Sequence, residues 1–244
     1  MNKPRLLSIL LLFGVPAWVL AQEKKPASYP AMAPVEQYRI ASPQDEIALA
    51  RSAAPPSISA DAQILVLGKG GYETAVKGKN GFVCFVERSW FAGFDEPDFW
   101  NPKLRAPNCF NPPAVRSVLP QYLDRTEWVL AGVGKPQIIE KTKAALSSHR
   151  YSTPEAGSFS FMLSSRSYLG DQAGGPWYPH VMFFVPHGHT ADWAAGLAAS
   201  PILGGDGGPL EPTSLYIPVP HWSDGSPAPS PETRPALAAL WGAK

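Results

Sequence analysis

The chain has 244 residues, 45% of them hydrophobic and 17% charged, with 21 Lys plus Arg against 20 Asp plus Glu. That length supports one sizeable core or at most two small ones, and a charge this balanced, with no basic run or basic helix face, argues against a nucleic-acid-binding surface. The 28 prolines and 21 glycines describe a folded chain rich in turns rather than a disordered one.

Residues 1–21 read as a signal peptide. Lys3 and Arg5 precede an apolar stretch from Leu6, and Val19 and Ala21 suit cleavage before Gln22. The apolar run is interrupted by Pro16 and is shorter than the ~18 residues a spanning helix needs. No second such segment follows, so stable membrane insertion is not expected after cleavage. The expected location is periplasmic or extracellular. The mature chain keeps 19 Lys plus Arg against 20 Asp plus Glu, a formal charge of −1.

Residues 22–42 are Pro- and Ala-rich without a period and read as a flexible linker. The next segment carries helix punctuation. Ser42 can cap, Pro43 suits the first helical position, Asp45 and Glu46 favour the positive end, and Pro55-Pro56 stop it. Three strands are expected at 63–68, 72–78 and 82–88, separated by "GKGG" and "GKNG". Read in order, they make a three-stranded antiparallel meander. The middle strand alternates, whereas the outer two are apolar on both faces, which implies cover on both sides.

Residues 88–113 break every period and contain Trp90, Phe91, Phe94, Phe99, Trp100 and Phe110. A long aperiodic loop in a compact domain is often functional. Helical patterns resume near 114. Leu119, Leu123 and Leu130 share one face, with Pro120 starting a new helix. Ile138, Thr142, Ala145 and Leu146 form a second stripe. Strands return at 158–165, 180–186 and 214–220. Residues 223–244 read as a Pro-rich tail, with a short helix at 236–241. One globular domain is therefore expected over residues 43–222. Its fold class is α+β, with an antiparallel sheet of about six strands. The element order loosely resembles that of PAS, GAF and profilin-like sheets, a likeness that assigns no function.

The cysteines, Cys84 and Cys109, both lie in the mature chain. An even pair in an oxidising compartment is expected to form a disulfide. The segment "GKNGFVCFVER", with a second cysteine in "PNCFNP", resembles a G-x-N-G-F-x-C-(L/F)-V-x-R pattern of exported bacterial proteins of unassigned function. The resemblance covers about forty residues near 72–113. It implies export and a paired cysteine, and it brings no activity and no catalytic residue.

Chemistry-bearing residues cluster in two places. "HVMFFVPHGH" holds His180, His187 and His189. If 181–185 is a strand, His180 and His187 stand roughly 20 Å apart on opposite faces, at about 3.3 Å per residue, so His180 cannot join the other two. His187 and His189, completed by His221 or Asp192, could hold zinc. The alternative is a strand end leading into a loop. The second place is the aromatic loop, where Arg88, Trp90 and Trp100 are the expected ligand contacts. Asp95, Glu96 and Asp98 beside aromatics also admit a sugar-binding role. G-x-S-x-G, H-E-x-x-H and a phosphate loop are absent. The expectation is an exported small-molecule or partner-binding accessory protein without a cofactor; a metal-assisted hydrolase is the alternative.

Overall fold

The computed structural model describes residues 29–170, 178–206 and 208–229. The signal segment 1–21 and the helix expected at 236–241 lie outside the described residues. Strands β1 (Gln63–Leu67), β2 (Tyr72–Val76), β3 (Val83–Glu87), β4 (Ala106–Phe110), β5 (Phe159–Met162), β6 (His180–Val185), β7 (Leu203–Gly205) and β8 (Thr213–Pro218) form one sheet in the order β2-β1-β3-β4-β5-β6-β8-β7. Helices α1 (Pro43–Arg51) and α2 (Pro56–Ser59) precede it, and α3 (Pro112–Ser117), α4 (Leu119–Leu130) and α5 (Lys135–Ser147) interrupt it between β4 and β5. The fold is α+β, but the sheet is mixed and has eight strands.

The expected meander is corrected. β1 pairs antiparallel with β2 and parallel with β3, so β2 is second in sequence but lies at the edge of the sheet. Its alternating, polar pattern suits an edge, while β1 and β3 are apolar because they are covered on both faces. The connection from β2 to β3 crosses beneath the start of β1. There a Cβ on Gly78 would lie 2.2 Å from the Gln63 backbone nitrogen, so only glycine lets the two backbones pass. Gly81 follows with φ +77°, and Asn80 Oδ1 accepts from the Phe82 backbone N–H. The Asn-Gly turn therefore forms, but it feeds a crossover rather than a hairpin.

β4 was hidden in the aperiodic stretch. Its sequence, APNCF, carries proline and asparagine, both depleted in strands. Proline is tolerated because β5 pairs only with Cys109 and Phe110, leaving Pro107 outside that ladder. Between β3 and β4, Cys84 lies opposite Cys109, and a disulfide joins them.

The two faces of the sheet are covered differently. α1 has the expected N-terminus, with Ser42 Oγ accepting from the Asp45 N–H at 3.1 Å. Ala50 and, just beyond the helix, Ala53 and Ala54 pack on Ile64, Val86 and the cystine. Small side chains let this segment approach the strands closely. On the other face, α3 and α4 cover Leu65, Val83, Phe85, Phe110, Met182 and Phe184. Asn111 caps α3, its Oδ1 accepting from the Ala114 N–H. A third cluster gathers Tyr38, Leu67, Trp90, Phe99, Trp100, Val129 and Ile138. Tyr38 lies within the stretch read as a linker, yet it is fully buried, so the linker reading does not extend to this residue. At the other end, the backbone N–H of Trp222 donates to the Ser226 carbonyl. Among the described residues no helix is long and apolar enough to cross a membrane.

Candidate functional site

β3 ends at Glu87 and Arg88 follows it in extended conformation, so alternation sends the two charged residues to opposite sides. Arg88 is completely buried. Its Nη2 donates to Glu46 Oε1 at 2.7 Å, its Nε to the Tyr38 carbonyl at 2.7 Å, and its Nη1 to the Val86 carbonyl. Glu46, on α1, also accepts from the Leu67 N–H. The guanidinium thus joins α1, β3 and the 35–38 turn, and Glu46 extends the link to β1.

Glu87 points the other way, toward α4. It borders a cavity of about 480 Å³ bounded by the sheet, by α4 and by the loop that follows β3. The floor comes from Glu87, Ala106, Met162, His180, Met182 and Tyr216. α4 contributes Gln121, Tyr122 and Arg125, and the loop contributes Phe91, Gly93, Glu96, Asp98 and Leu104. Glu211, Pro212 and Ser214 close the side toward β8. The loop is held by ring contacts: Phe91 stacks on Tyr122 with centroids 4.4 Å apart, and the Arg125 guanidinium lies 4.5 Å from the Phe94 ring centre.

The charges in the cavity are unequally matched. Arg125 pairs with Glu211 Oε1 at 3.3 Å, while Arg88 is committed to Glu46. Glu87, only 8% exposed, accepts one hydrogen bond, from Asn108 Nδ2 at 2.6 Å. Burial raises its pKa to about 7, against smaller opposing effects from the Asn108 hydrogen bond and the Arg125 charge. Burial also raises Glu211, with Arg125 opposing. It raises Tyr122 and Tyr216 as well, so both stay neutral phenols. His180 moves in the other direction. Burial lowers its pKa to about 4, opposed by a hydrogen bond with the Tyr178 carbonyl, to which Nδ1 lies at 2.8 Å. At neutral pH its imidazole is uncharged, with the proton on the nitrogen facing that carbonyl.

The residues singled out in the sequence fall in different places. Arg88 borders the cavity, but Nε and both Nη atoms are bound on the side away from it. Trp90 is fully buried beside Tyr38, its Nε1 donating to Thr126 Oγ1 at 3.1 Å. Trp100 is 7% exposed in the same cluster, and its carbonyl accepts from the Tyr38 hydroxyl. Neither indole lines the cavity. Of the loop acids, Glu96 and Asp98 line it and Asp95 does not.

The histidine set His187, His189 and His221 is not gathered. Among the described residues no group of three or more His, Cys, Asp and Glu side chains stands together as a metal site. His189 Nδ1 meets Asp192 Oδ2 at 2.8 Å in an exposed pair. His187 lies near Asp206, which is held by the Gly188 N–H and the Thr213 hydroxyl. His221 bridges to Pro227 across the turn after β8.

Sequence reasoning missed Glu87, Tyr122, Arg125, Glu211 and Tyr216, and it set aside His180. Two of these left a trace: Glu87 ends an otherwise apolar strand, and Arg125 lies between the buried Leu119 and Val129 of α4. Glu211 left none. No protein-family model, no curated protein and no solved structure matches this chain.

Proposed function

We propose that this chain is an exported small-molecule-binding protein whose site is the cavity beneath the 91–104 loop. The observation that carries the reading is the cavity itself, about 480 Å³ with a nine-tenths-buried carboxyl on its floor. That volume is within the range of small-molecule sites, and mostly apolar walls with a few convergent polar groups are their usual lining. Leu104, Leu169, Met162 and Met182 supply the apolar surface, and methionine adapts to ligand shape. The buried cystine, which joins two interior strands, fits an oxidising compartment.

A fragment library screened against the full chain by ligand-observed NMR tests the site. Ala106, 2% exposed on the cavity floor, is the position to fill. Ala106→Phe should abolish the hits while leaving the far-ultraviolet spectrum native. Hits that persist in Ala106→Phe, or a screen that yields none, would remove the reading.

A further inference from the structure

We propose that the cavity recognises a primary amine on an apolar body, with Glu87 receiving the ammonium group. The inference rests on the binding reading above and names the ligand class. Each buried cation here already has a carboxylate. Arg88 is matched by Glu46 and Arg125 by Glu211, whereas Glu87 forms no ion pair among the described residues and feels only the charge of Arg125, which is already paired with Glu211. Its Oε1 accepts from Asn108, and its Oε2 has no hydrogen-bond partner among the described residues.

A carboxylate withdrawn from water and facing an open cavity is stabilised most by a cation that brings its own N–H donors. An ammonium group supplies both. A carboxylate ligand would be repelled, and an alcohol would leave the charge unmatched. The approach has the same sign. Glu96 is exposed and Asp98 partly so, both line the cavity, and together they favour the arrival of cations. Asp98 Oδ1 is steadied by Asn101 Nδ2 at 2.8 Å. The apolar walls then take the body of the ligand.

The groups facing Glu87 define the pH behaviour. They are Tyr122 and Arg125 from α4, His180 from β6, Asn108 from β4, Tyr72 from β2, and Tyr216 and Glu211 from β8 and its approach. His180 is already neutral above about pH 4, and the phenols stay protonated. Glu87 ionises near pH 7, so amine binding should strengthen as the pH rises through neutrality.

Calorimetric titration of the full chain with 2-phenylethylamine, 2-phenylethanol and 3-phenylpropionate tests this. At pH 8 the amine should bind at least about tenfold more tightly than the alcohol, the carboxylate should not bind, and lowering the pH to 6 should weaken the amine about tenfold. Glu87→Gln should reduce amine affinity to that of the alcohol on the natural chain, with a melting curve to confirm the fold. Equal binding of amine and alcohol, preference for the carboxylate, or an amine affinity insensitive to pH and to Glu87→Gln would overturn the inference. In those cases binding in the cavity would stand without the amine. If no probe binds, the amine class falls, and the fragment screen with Ala106→Phe decides the cavity separately.

Discussion

Arg88 and Glu87 are neighbours in sequence, both are buried, and they do opposite work. Arg88 has a carboxylate and two carbonyls around it, one acceptor on each guanidinium nitrogen. Glu87 has one amide donor and a cavity in front of it. The difference lies in what covers each face. On Arg88's side, α1 and the 35–38 turn bring Glu46 and the Tyr38 carbonyl into contact with the guanidinium. On Glu87's side, α4 and the 91–104 loop stand off, leaving space and a carboxyl whose charge is costly. A buried charge that is fully matched serves the fold, and one left half-matched at a cavity is available to a ligand.

The largest effect should come from breaking the matched charge. Arg88→Met leaves Glu46 buried without its cation and should cost about 3–5 kcal/mol in chemical denaturation. Adding Glu46→Gln to that variant should recover much of the loss, because the stranded charge is then gone. A single-variant cost below about 1 kcal/mol would show that Arg88 is not the anchor described. The next effect concerns the strands that carry both residues. Replacing Cys84 and Cys109 with alanine releases a bond spanning 25 residues and should cost about 3 kcal/mol in the chain-entropy model. Unchanged denaturation midpoints with the two cysteines replaced would mean that strand pairing alone fixes the β3–β4 register.

Glu87→Gln sharpens the comparison through pH. In the folded chain Glu87 keeps its proton up to about pH 7, whereas its ordinary value is 4.5. Between those values the folded state binds more protons than the unfolded one, so this group's contribution to stability falls as pH rises, by up to about 3 kcal/mol. His180 has the opposite sign. Its value drops to about 4 from an ordinary 6.5, so the unfolded chain takes up its proton first and stability rises with pH across that window. In the natural chain the two slopes oppose each other between about 4.5 and 6.5. Removing Glu87's titration should leave the His180 rise exposed. Glu87→Gln should gain on the natural chain steadily from pH 4.5 to 7, by up to about 3 kcal/mol, in urea melts at a series of pH values. A stability difference that is flat with pH would show that Glu87 titrates normally.

Local rules made some of this legible in the sequence. The cap and prolines of α1, the stripes of α4 and α5, and strands β5, β6 and β8 follow from punctuation and period. What failed depended on tertiary pairing. Nothing local says that β3 returns to lie beside β1, although the polar alternation of Tyr72–Val76 marks an edge strand once the pairing is known. β4 was obscured by Pro107 and Asn108, residues that read as loop until neighbouring strands supply their partners. The aromatic loop was legible as a whole but not residue by residue. Its largest rings, Trp90 and Trp100, serve the core, and of its polar groups only Glu96 and Asp98 line the cavity, the others coming from β3, α4, β6, β8 and the segment before β8. A site assembled from so many elements leaves only scattered charges in the sequence, each ordinary in its own segment.

The smallest effect on stability should carry the finest information. Asn108 is fully buried, and its Nδ2 makes the hydrogen bond that opposes the rise in Glu87's pKa. Its Oδ1 is buried without a partner among the described residues. Asn108→Leu removes a favourable bond and a costly orphan oxygen together, so the net change in stability should be about 1 kcal/mol or less, in either direction. The carboxyl should respond more clearly. Without the amide donor only Arg125 opposes desolvation, so the Glu87 pKa should climb above about 7, as followed by NMR of its carboxyl carbon. Amine binding at pH 8 should weaken in parallel, because less of the carboxyl is then ionised. A Glu87 value that stays put in Asn108→Leu would mean that the amide does not control the charge, and that Arg125 on α4 holds it instead.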